Sequence, residues 1–189
     1  MSMYFKRIIL LLAAISLLAS VPGCSVSEKT CLQNDWQTLG YKHGEDGKSA
    51  DELNRYVNDC AEHGVTPDAS AYSAGYEVGI ALYCTAENGA KEGSDVNSYS
   101  GACPPELEKP FLENYLEGLK LAMSELEIEY DRDTIELDQL RAHRDRLAAA
   151  GESHVRDDKR IKRLSDKILY NTNQRSNINN NILEWAGRI

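Results

Sequence analysis

The second half of the chain repeats a spacing of four and three residues, and this rhythm constrains the fold more than any other feature. The first run consists of Leu119, Met123, Leu126, Tyr130, Asp133, Leu137, Leu140, Arg144 and Leu147. Alternation of four and three is the a/d pattern of a coiled coil. The run therefore predicts a long helix with one continuous, mostly apolar seam.

The rhythm stops once and then resumes over nearly the same length. The break, residues 148–153, contains Gly151, and the second run consists of Ile161, Leu164, Ile168, Asn171, Arg175, Ile178, Ile182 and Trp185. Two arms around a central break predict an antiparallel helical hairpin over residues 119–189. Folding back places Trp185 beside Leu119.

Four of the seam positions are polar, namely Asp133, Arg144, Asn171 and Arg175. Polar groups at such positions lower stability and help to set the register of the two helices. They are also typical of a seam that only a second chain completes, so a parallel homo-oligomeric coil stays an alternative. The central position of the break favours the intramolecular hairpin.

The chain begins with the pattern of an export signal. Lys6 and Arg7 precede a twelve-residue apolar run that is too short to span a bilayer comfortably. We expect residues 1–23 to be a signal peptide. The segment that closes it, Val21-Pro-Gly-Cys24, resembles the lipobox of bacterial lipoproteins, which implies that Cys24 is lipidated.

Acylation of Cys24 would anchor the protein, because two or more acyl chains give stable membrane attachment. Ser25 follows, and by resemblance to enterobacterial lipoproteins it implies sorting to the outer membrane, with the body facing the periplasm. Residues 24–30 would then be the lipidated cysteine and a short linker. An ordinary cleaved signal with an unrelated cysteine is the alternative.

The chain is acidic, with 21 Lys and Arg against 30 Asp and Glu and a net charge of −9. Removal of the signal, which holds two basic and no acidic residues, changes the net charge to −11. Nucleic acid and anionic headgroups both require a basic surface, so neither is expected as a partner. Membrane attachment is therefore expected through the lipid.

Four further cysteines follow the signal: Cys31, Cys60, Cys84 and Cys103. An even number in an exported chain predicts two disulfides, for which three pairings exist. An up-down-up order of the first helices favours Cys31 with Cys60 and Cys84 with Cys103, and the other pairings stay open. A zinc site is less favoured, because no C-x-x-C pair occurs.

Short helices are predicted within a module of residues 31–118, with Asn34 or Asp35 capping the first and Ser49 the second. The central helix follows a cap at Asp68 or Ser70 and includes residues 72–84. Its two glycines lie four positions apart, so another backbone can approach them closely. These are Gly75 and Gly79.

Residues 85–102 lack periodicity and are predicted to form a loop tied by Cys84 and Cys103. A plain surface loop is the favoured interpretation. The alternative is a binding loop beside a pocket for a small ligand or a cell-wall fragment. The candidate binding residues of that pocket are Tyr72, Tyr76, Tyr83 and Tyr99.

A set of cysteines, glycines and aromatic residues at fixed spacings carries a family resemblance. It consists of Cys31, Asp35-Trp36, Gly40, Gly44, Cys60, His63-Gly64, Asp68, Tyr72, Gly75, Gly79, Tyr83-Cys84, Asn88-Gly89, Gly93, Tyr99, Cys103-Pro104, Phe111, Tyr115 and Gly118. Over residues 31–119 the chain resembles a family of proteobacterial lipoproteins known only as domain of unknown function 2799. The resemblance implies a shared disulfide-bearing scaffold and supplies no catalytic residue.

The sequence contains no phosphate-binding, dinucleotide-binding, zincin or hydrolase-elbow motif. His143 and His154 flank the predicted hairpin tip, where a solvated pair is favoured over a weak metal site. Asp35, Glu45 and Asp46 carry ligand-type side chains, but the twelve-residue calcium loop is missing. We therefore expect no cofactor, no metal and no enzymatic activity, with a hydrolase at these carboxylates as a distant alternative.

The expected fold is all-α, with a small disulfide-linked helical module followed by a long antiparallel coiled-coil hairpin. The expected function is that of an outer-membrane lipoprotein with a structural or adaptor role, which binds a periplasmic protein partner through the hairpin. A module that binds a small ligand or a cell-wall fragment is the alternative.

Overall fold

The computed structural model describes residues 26–189, so the predicted signal peptide, Cys24 and Ser25 lie outside the described residues. Within that range the chain forms seven helices and no strand, which confirms the predicted all-α class. We number them α1 (Glu28–Gln33), α2 (Trp36–Glu45), α3 (Glu52–Ala61), α4 (Ala69–Tyr83), α5 (Ala86–Ser94), α6 (Pro105–Ala149) and α7 (Val155–Ala186). None of these described helices is long and apolar enough to cross a membrane.

The described residues form two compact units, of which the first comprises residues 26–34 and 53–67. It contains α1 and nearly all of α3, which the Cys31–Cys60 disulfide joins. Helix α1 begins within residues 24–30, which were predicted to be a linker. Ser27 caps this helix, and its Cys31 is buried. The buried hydrophobic side chains in the described part of this unit are Cys31, Tyr56 and Cys60, so the disulfide lies at its centre.

The second unit comprises residues 35–52 and 68–189. Two of its helices begin at the predicted caps, since Asp35 and Asp68 each accept backbone hydrogen bonds from the first turn that follows. A hydrogen bond from the Thr38 hydroxyl, and then the backbone bonds from Thr38 and Gln37, hold the pKa of the Asp35 carboxyl below its ordinary value. The Cys84–Cys103 disulfide lies in this unit, so both bonds have the connectivity favoured from the sequence.

Helices α2 and α4 pack with their backbones in contact. A Cβ atom at any of four glycines would overlap backbone atoms of the opposite helix. These glycines are Gly40 and Gly44 on α2, and Gly75 and Gly79 on α4. The predicted close approach at Gly75 and Gly79 is confirmed.

Helix α5 corrects the prediction of a loop over residues 85–102, because half of that segment is helical. Thr85 caps it, and its buried face consists of Gly89 and Gly93, which lie against the backbone of α6. Glycine adds no hydrophobic periodicity and has a low helix propensity. Tertiary packing against α6 therefore decides the conformation of this segment.

The core of the second unit lies around the first half of α6. Its most deeply buried side chains on that helix are Phe111, Leu112, Tyr115 and Leu119. Tyr83 from α4 stacks on Phe111 at a centroid distance of 5.2 Å. Trp185 from the end of α7 packs in the same cluster.

Helix α6 has 45 residues and passes without interruption through residue 119, where the hairpin was predicted to begin. Its first half belongs to the core and its second half forms one arm of the hairpin. The chain then turns at Gly151, whose φ is 72°, and α7 returns over 32 residues. The predicted intramolecular hairpin is confirmed, with Trp185 back at the core beside Leu119.

Candidate interaction surface of the hairpin

The four tyrosines predicted to line a pocket are used mainly in packing. Tyr72, Tyr83 and Tyr99 expose only 1%, 8% and 6% of their surface. The Tyr72 hydroxyl is hydrogen-bonded to Nδ1 of His43 at 2.8 Å, and the Tyr76 hydroxyl donates to the carbonyl oxygen of Lys48 at 2.8 Å. These side chains therefore offer little free surface to a ligand.

Tyr99 is held from several sides. Its hydroxyl accepts a hydrogen bond from the backbone N–H of Cys103 at 3.0 Å, and its ring lies 4.8 Å from that of Phe111. Burial raises the pKa of Tyr99 to about 12, and burial raises the pKa of Tyr83 in the same direction. Both side chains are neutral core groups at physiological pH.

The segment after α5 is fixed to the rest of the second unit. The Ser100 hydroxyl donates to the carbonyl oxygen of Gly47 at 2.9 Å, and the Tyr115 hydroxyl donates to that of Asn97 at 2.7 Å. The segment predicted as a loop is thus a helix followed by a tethered segment.

A charged layer crosses the hairpin seam halfway along the arms. Asp133 is only 2% exposed, and Lys167 Nζ lies 2.7 Å from its Oδ2 and 2.7 Å from Oε1 of Glu129. Hydrogen bonds to Asp133 and then to Glu129 raise the pKa of Lys167. One of the predicted polar seam residues is therefore neutralised across the hairpin.

The predicted seam residues Asn171 and Arg175 lie nearer to the core. Asn171 is 3% exposed, and its side-chain nitrogen has no hydrogen-bond partner among the described residues. Arg175 is bonded to Glu127 at 3.2 Å and lies over the Tyr130 ring at 5.0 Å. These groups belong to the interface between the two arms.

At the hairpin tip each histidine pairs with its own aspartate. His143 Nδ1 lies 2.5 Å from Asp157 Oδ2, and His154 Nδ1 lies 2.8 Å from Asp158 Oδ2. Across residues 26–189, no group of three or more His, Cys, Asp or Glu side chains is arranged to hold a metal ion. The tip therefore carries two hydrogen-bonded histidine–aspartate pairs.

One side of the hairpin carries a row of depressions between the arms, which we call the arm groove. Near the core it is lined by Val96, Ala122, Leu126 and Tyr170. Toward the tip it is lined by Glu136, Leu140, Arg156, Arg160, Arg163 and Leu164, and the largest depression there has a volume of about 410 Å³. The floor is apolar and the rims are charged.

The two rims of the arm groove differ in charge. On α7 the rim is basic and consists of Arg156, Arg160, Arg163 and Lys167, spaced by four, three and four residues. On α6 the rim is acidic and consists of Glu125, Glu129 and Glu136. This basic row lies at helical spacing in the sequence, but the seam pattern from which the hairpin is predicted does not include it.

Ion pairs bridge the groove at two points, and three other charged residues of its lining form no ion pair among the described residues. Arg160 lies 3.2 Å from Glu136, and Lys167 pairs with Glu129. Arg156, Arg163 and Glu125 have no ion-pair partner among the described residues. Two arginines therefore present free guanidinium groups beside the apolar floor.

Large apolar side chains are exposed on other faces of the same arms. They include Leu121 at 55%, Ile128 at 70%, Ile135 at 60%, Leu169 at 62% and Leu183 at 68%. The first three lie seven residues apart and share the face of α6 opposite the seam. Isolated exposed apolar residues are ordinary, but a repeated row along a projecting helix is typical of an interaction surface.

Across residues 26–189 these features define an all-helical, disulfide-linked protein with a long two-helix hairpin. Residues 35–120 match the model of the family described as Protein of unknown function (DUF2799), which confirms the family resemblance predicted from the sequence. The match includes α2 to α5 and the core part of α6, and it ends where the arms begin. Comparison with curated proteins and with solved structures gave no match.

Proposed function

We propose that this protein is an outer-membrane lipoprotein with a non-enzymatic adaptor role, which binds a periplasmic protein partner through its helical hairpin. The observation that carries the proposal is the exposure of the arms. Of the described helices, α7 packs extensively on α6 alone, and the other large contact of α6 is with α5, whose glycines face the stretch from Phe111 to Gly118. An arm of this kind offers two long helical faces to a partner helix.

The exposed apolar row supports the same proposal. Leu121, Ile128 and Ile135 together place three large side chains along about 21 Å of helix, at 1.5 Å per residue. Keeping such a row in water is unfavourable by the usual area relation, and a partner surface would remove it from water.

The cellular location in the proposal comes from the sequence features of residues 1–25. The two disulfides agree with an oxidising compartment such as the periplasm. Replacement of Cys24 by Ala, followed by fractionation of cells and detection of bound acyl chains, tests the anchor. Loss of both acylation and membrane association is expected.

Photo-crosslinking in cells tests the adaptor role. A photoreactive phenylalanine is placed at Ile128, Ile135 or Leu169 on the arms and, as matched controls, at the exposed apolar residues Leu32 and Val57 of the first unit. We expect discrete polypeptide adducts from the arms and none of the same size from the controls. Equal adduct patterns from both sets, or no polypeptide adduct from the arms, contradict the proposal.

A further inference from the structure

The arm groove continues a face of α6 that is already covered by a helix near the core. Gly89 and Gly93 of α5 lie against α6 at Phe111 and Tyr115, and Gly118 of α6 lies against α5. Residues 111, 115, 118 and 122 share one helical face, and the positions that line the groove farther along, 129, 136 and 140, lie on the same face. Helix α5 therefore occupies the first part of a track that continues to the tip and is crossed there only by the ion pairs Arg160–Glu136 and Lys167–Glu129 among the described residues.

The open part of this track has the length of one helix. It begins at Ser94 and Val96, where α5 ends, and on α6 it extends from Ala122 to His143. At 1.5 Å per residue this distance is about 32 Å, so it accommodates a helix of roughly 21 residues. The floor positions Leu126, Leu140 and Leu164 give such a helix apolar contacts at both ends.

The free charges decide which helix fits. Arg156 and Arg163 have no ion-pair partner among the described residues, whereas Arg160 and Lys167 are already paired across the groove. Residues 155–167 contain six basic and three acidic residues, in a chain whose net charge is −9. A carboxylate beside each free guanidinium forms a charge-assisted hydrogen bond. At the core end, the free Glu125 disfavours further acidic groups.

We infer that the arm groove binds an amphipathic acidic helix of a partner protein, placed in line with α5 and with its acidic side chains against Arg156 and Arg163. This inference rests on the proposed adaptor function and names the kind of partner segment. Its acidic end lies toward the hairpin tip, and its apolar stripe covers the groove floor. With α6 and α7 it completes a three-helix bundle along the arms.

The test uses the full-length protein in cells, with a photoreactive phenylalanine at Gln139 or Gln174, both of which line the arm groove. Adducts are digested, and the crosslinked partner peptide is sequenced by mass spectrometry. We expect one partner segment of roughly 21 residues with a net negative charge and apolar residues at helical spacing.

Charge reversal supplies the matched comparison. Arg156→Glu combined with Arg163→Glu is expected to reduce the adduct at least tenfold. Lys159→Glu combined with Lys162→Glu changes the net charge by the same amount on α7 but outside the groove lining, and it is expected to leave the adduct within twofold. Circular dichroism and disulfide mapping on both variants verify that the fold is retained.

Each outcome decides the inference. A neutral or basic crosslinked segment, a lipid or glycan adduct alone, or equal losses in the two charge-reversal variants overturns it. Adducts from Ile128 with none from Gln139 or Gln174 also overturn it, while the adaptor function itself stands. Absence of polypeptide adducts from every arm position overturns both proposals.

Discussion

The rings of Tyr99 and Trp185 lie with their centroids 4.8 Å apart at an interplanar angle of 56°. Tyr99 belongs to the segment between α5 and α6, next to the Cys84–Cys103 disulfide, and Trp185 belongs to the last turn of α7. The Arg188 guanidinium lies over the Trp185 ring, 4.9 Å from its centroid. The end of the hairpin is therefore anchored in the core that the disulfide closes.

Trp185→Ala should strongly destabilise the second unit. The side chain is 6% exposed, and its loss leaves a cavity beside Tyr99, so we expect the free energy of unfolding to fall by roughly 3–5 kcal/mol. Urea unfolding followed by circular dichroism measures the change. Leu183→Ala, two residues away and 68% exposed, is the control and should stay within about 0.5 kcal/mol of the wild type. Equal effects of the two substitutions would contradict this account of the core.

Gly79→Ala should separate α2 from α4. The new methyl group would overlap the carbonyl oxygen of Tyr41, which is backbone and cannot rotate away, so we expect a loss of roughly 1–3 kcal/mol or more. Thermal unfolding provides the measurement. Gly187→Ala is the matched control, because no atom lies within 4 Å of its added Cβ and its φ of −75° suits alanine. A neutral result at Gly79 would show that the two backbones are not in contact.

Removal of the second disulfide should lower stability without unfolding the core. Cys84 and Cys103 are separated by 19 residues, for which the chain-entropy relation gives about 3 kcal/mol. We expect the variant with both residues replaced by Ala to unfold at a lower urea concentration and with a similar slope. An unchanged midpoint, or peptide mapping that finds other cysteine pairs, would refute this connectivity.

Lys167→Met should show how much the charged layer in the seam contributes to the free energy of unfolding. The folded pKa of Lys167 is raised above its ordinary value of 10.5 by Asp133 and then Glu129. Its stabilising effect is therefore complete below about pH 10.5 and is lost as the pH rises through the folded pKa. At pH 7 we expect the variant to be less stable by roughly 1–3 kcal/mol, because Asp133 stays buried without this cation.

Urea unfolding of wild type and variant at a series of pH values measures this dependence. The difference between them should shrink as the pH rises from about 10.5, where the unfolded chain loses the lysine proton, through the higher folded pKa, where the folded wild type loses it too. Lys167→Arg retains the charge and should follow the wild type to higher pH, because the guanidinium stays protonated. A difference that is independent of pH would show that packing of the lysine stem, rather than its charge, is responsible.

The hairpin was predictable because its signal is long and repeated. Eight or nine seam positions on each arm follow one rhythm, and the single break contains Gly151, so length, direction and pairing all follow from local sequence. The glycine pair on α4 was informative for a related reason. Gly75 and Gly79 stand out within a run of larger residues, and their spacing marks one helical face.

Other parts of the structure depend on contacts that the local sequence does not reveal. Helix α5 is held by glycine contacts with α6, so its buried face carries no hydrophobic signal. The burial of the candidate tyrosines is one such case, because Tyr72, Tyr83 and Tyr99 are covered by residues distant in sequence. The basic rim of the arm groove has a visible spacing, but its relation to the apolar floor appears only when the two arms are placed side by side.

Shortening the hairpin separates the adaptor function from that of a ligand-binding module. Removal of residues 120–189 is unsuitable, because it also removes Ile178 and Trp185 from the core. Deletion of residues 134–147 together with 154–167 removes fourteen residues from each arm, close to four helical turns, and keeps the two seams in phase. Asp133 then takes the place of Leu147 beside the turn, where its carboxylate reaches water.

We expect both disulfides and the core to remain, as judged by peptide mapping and circular dichroism, while partner adducts and complementation of a strain that lacks the protein are lost. Full complementation by the shortened protein would show that the deleted parts of the arms are not required for function. It would favour a module that acts through residues 35–120.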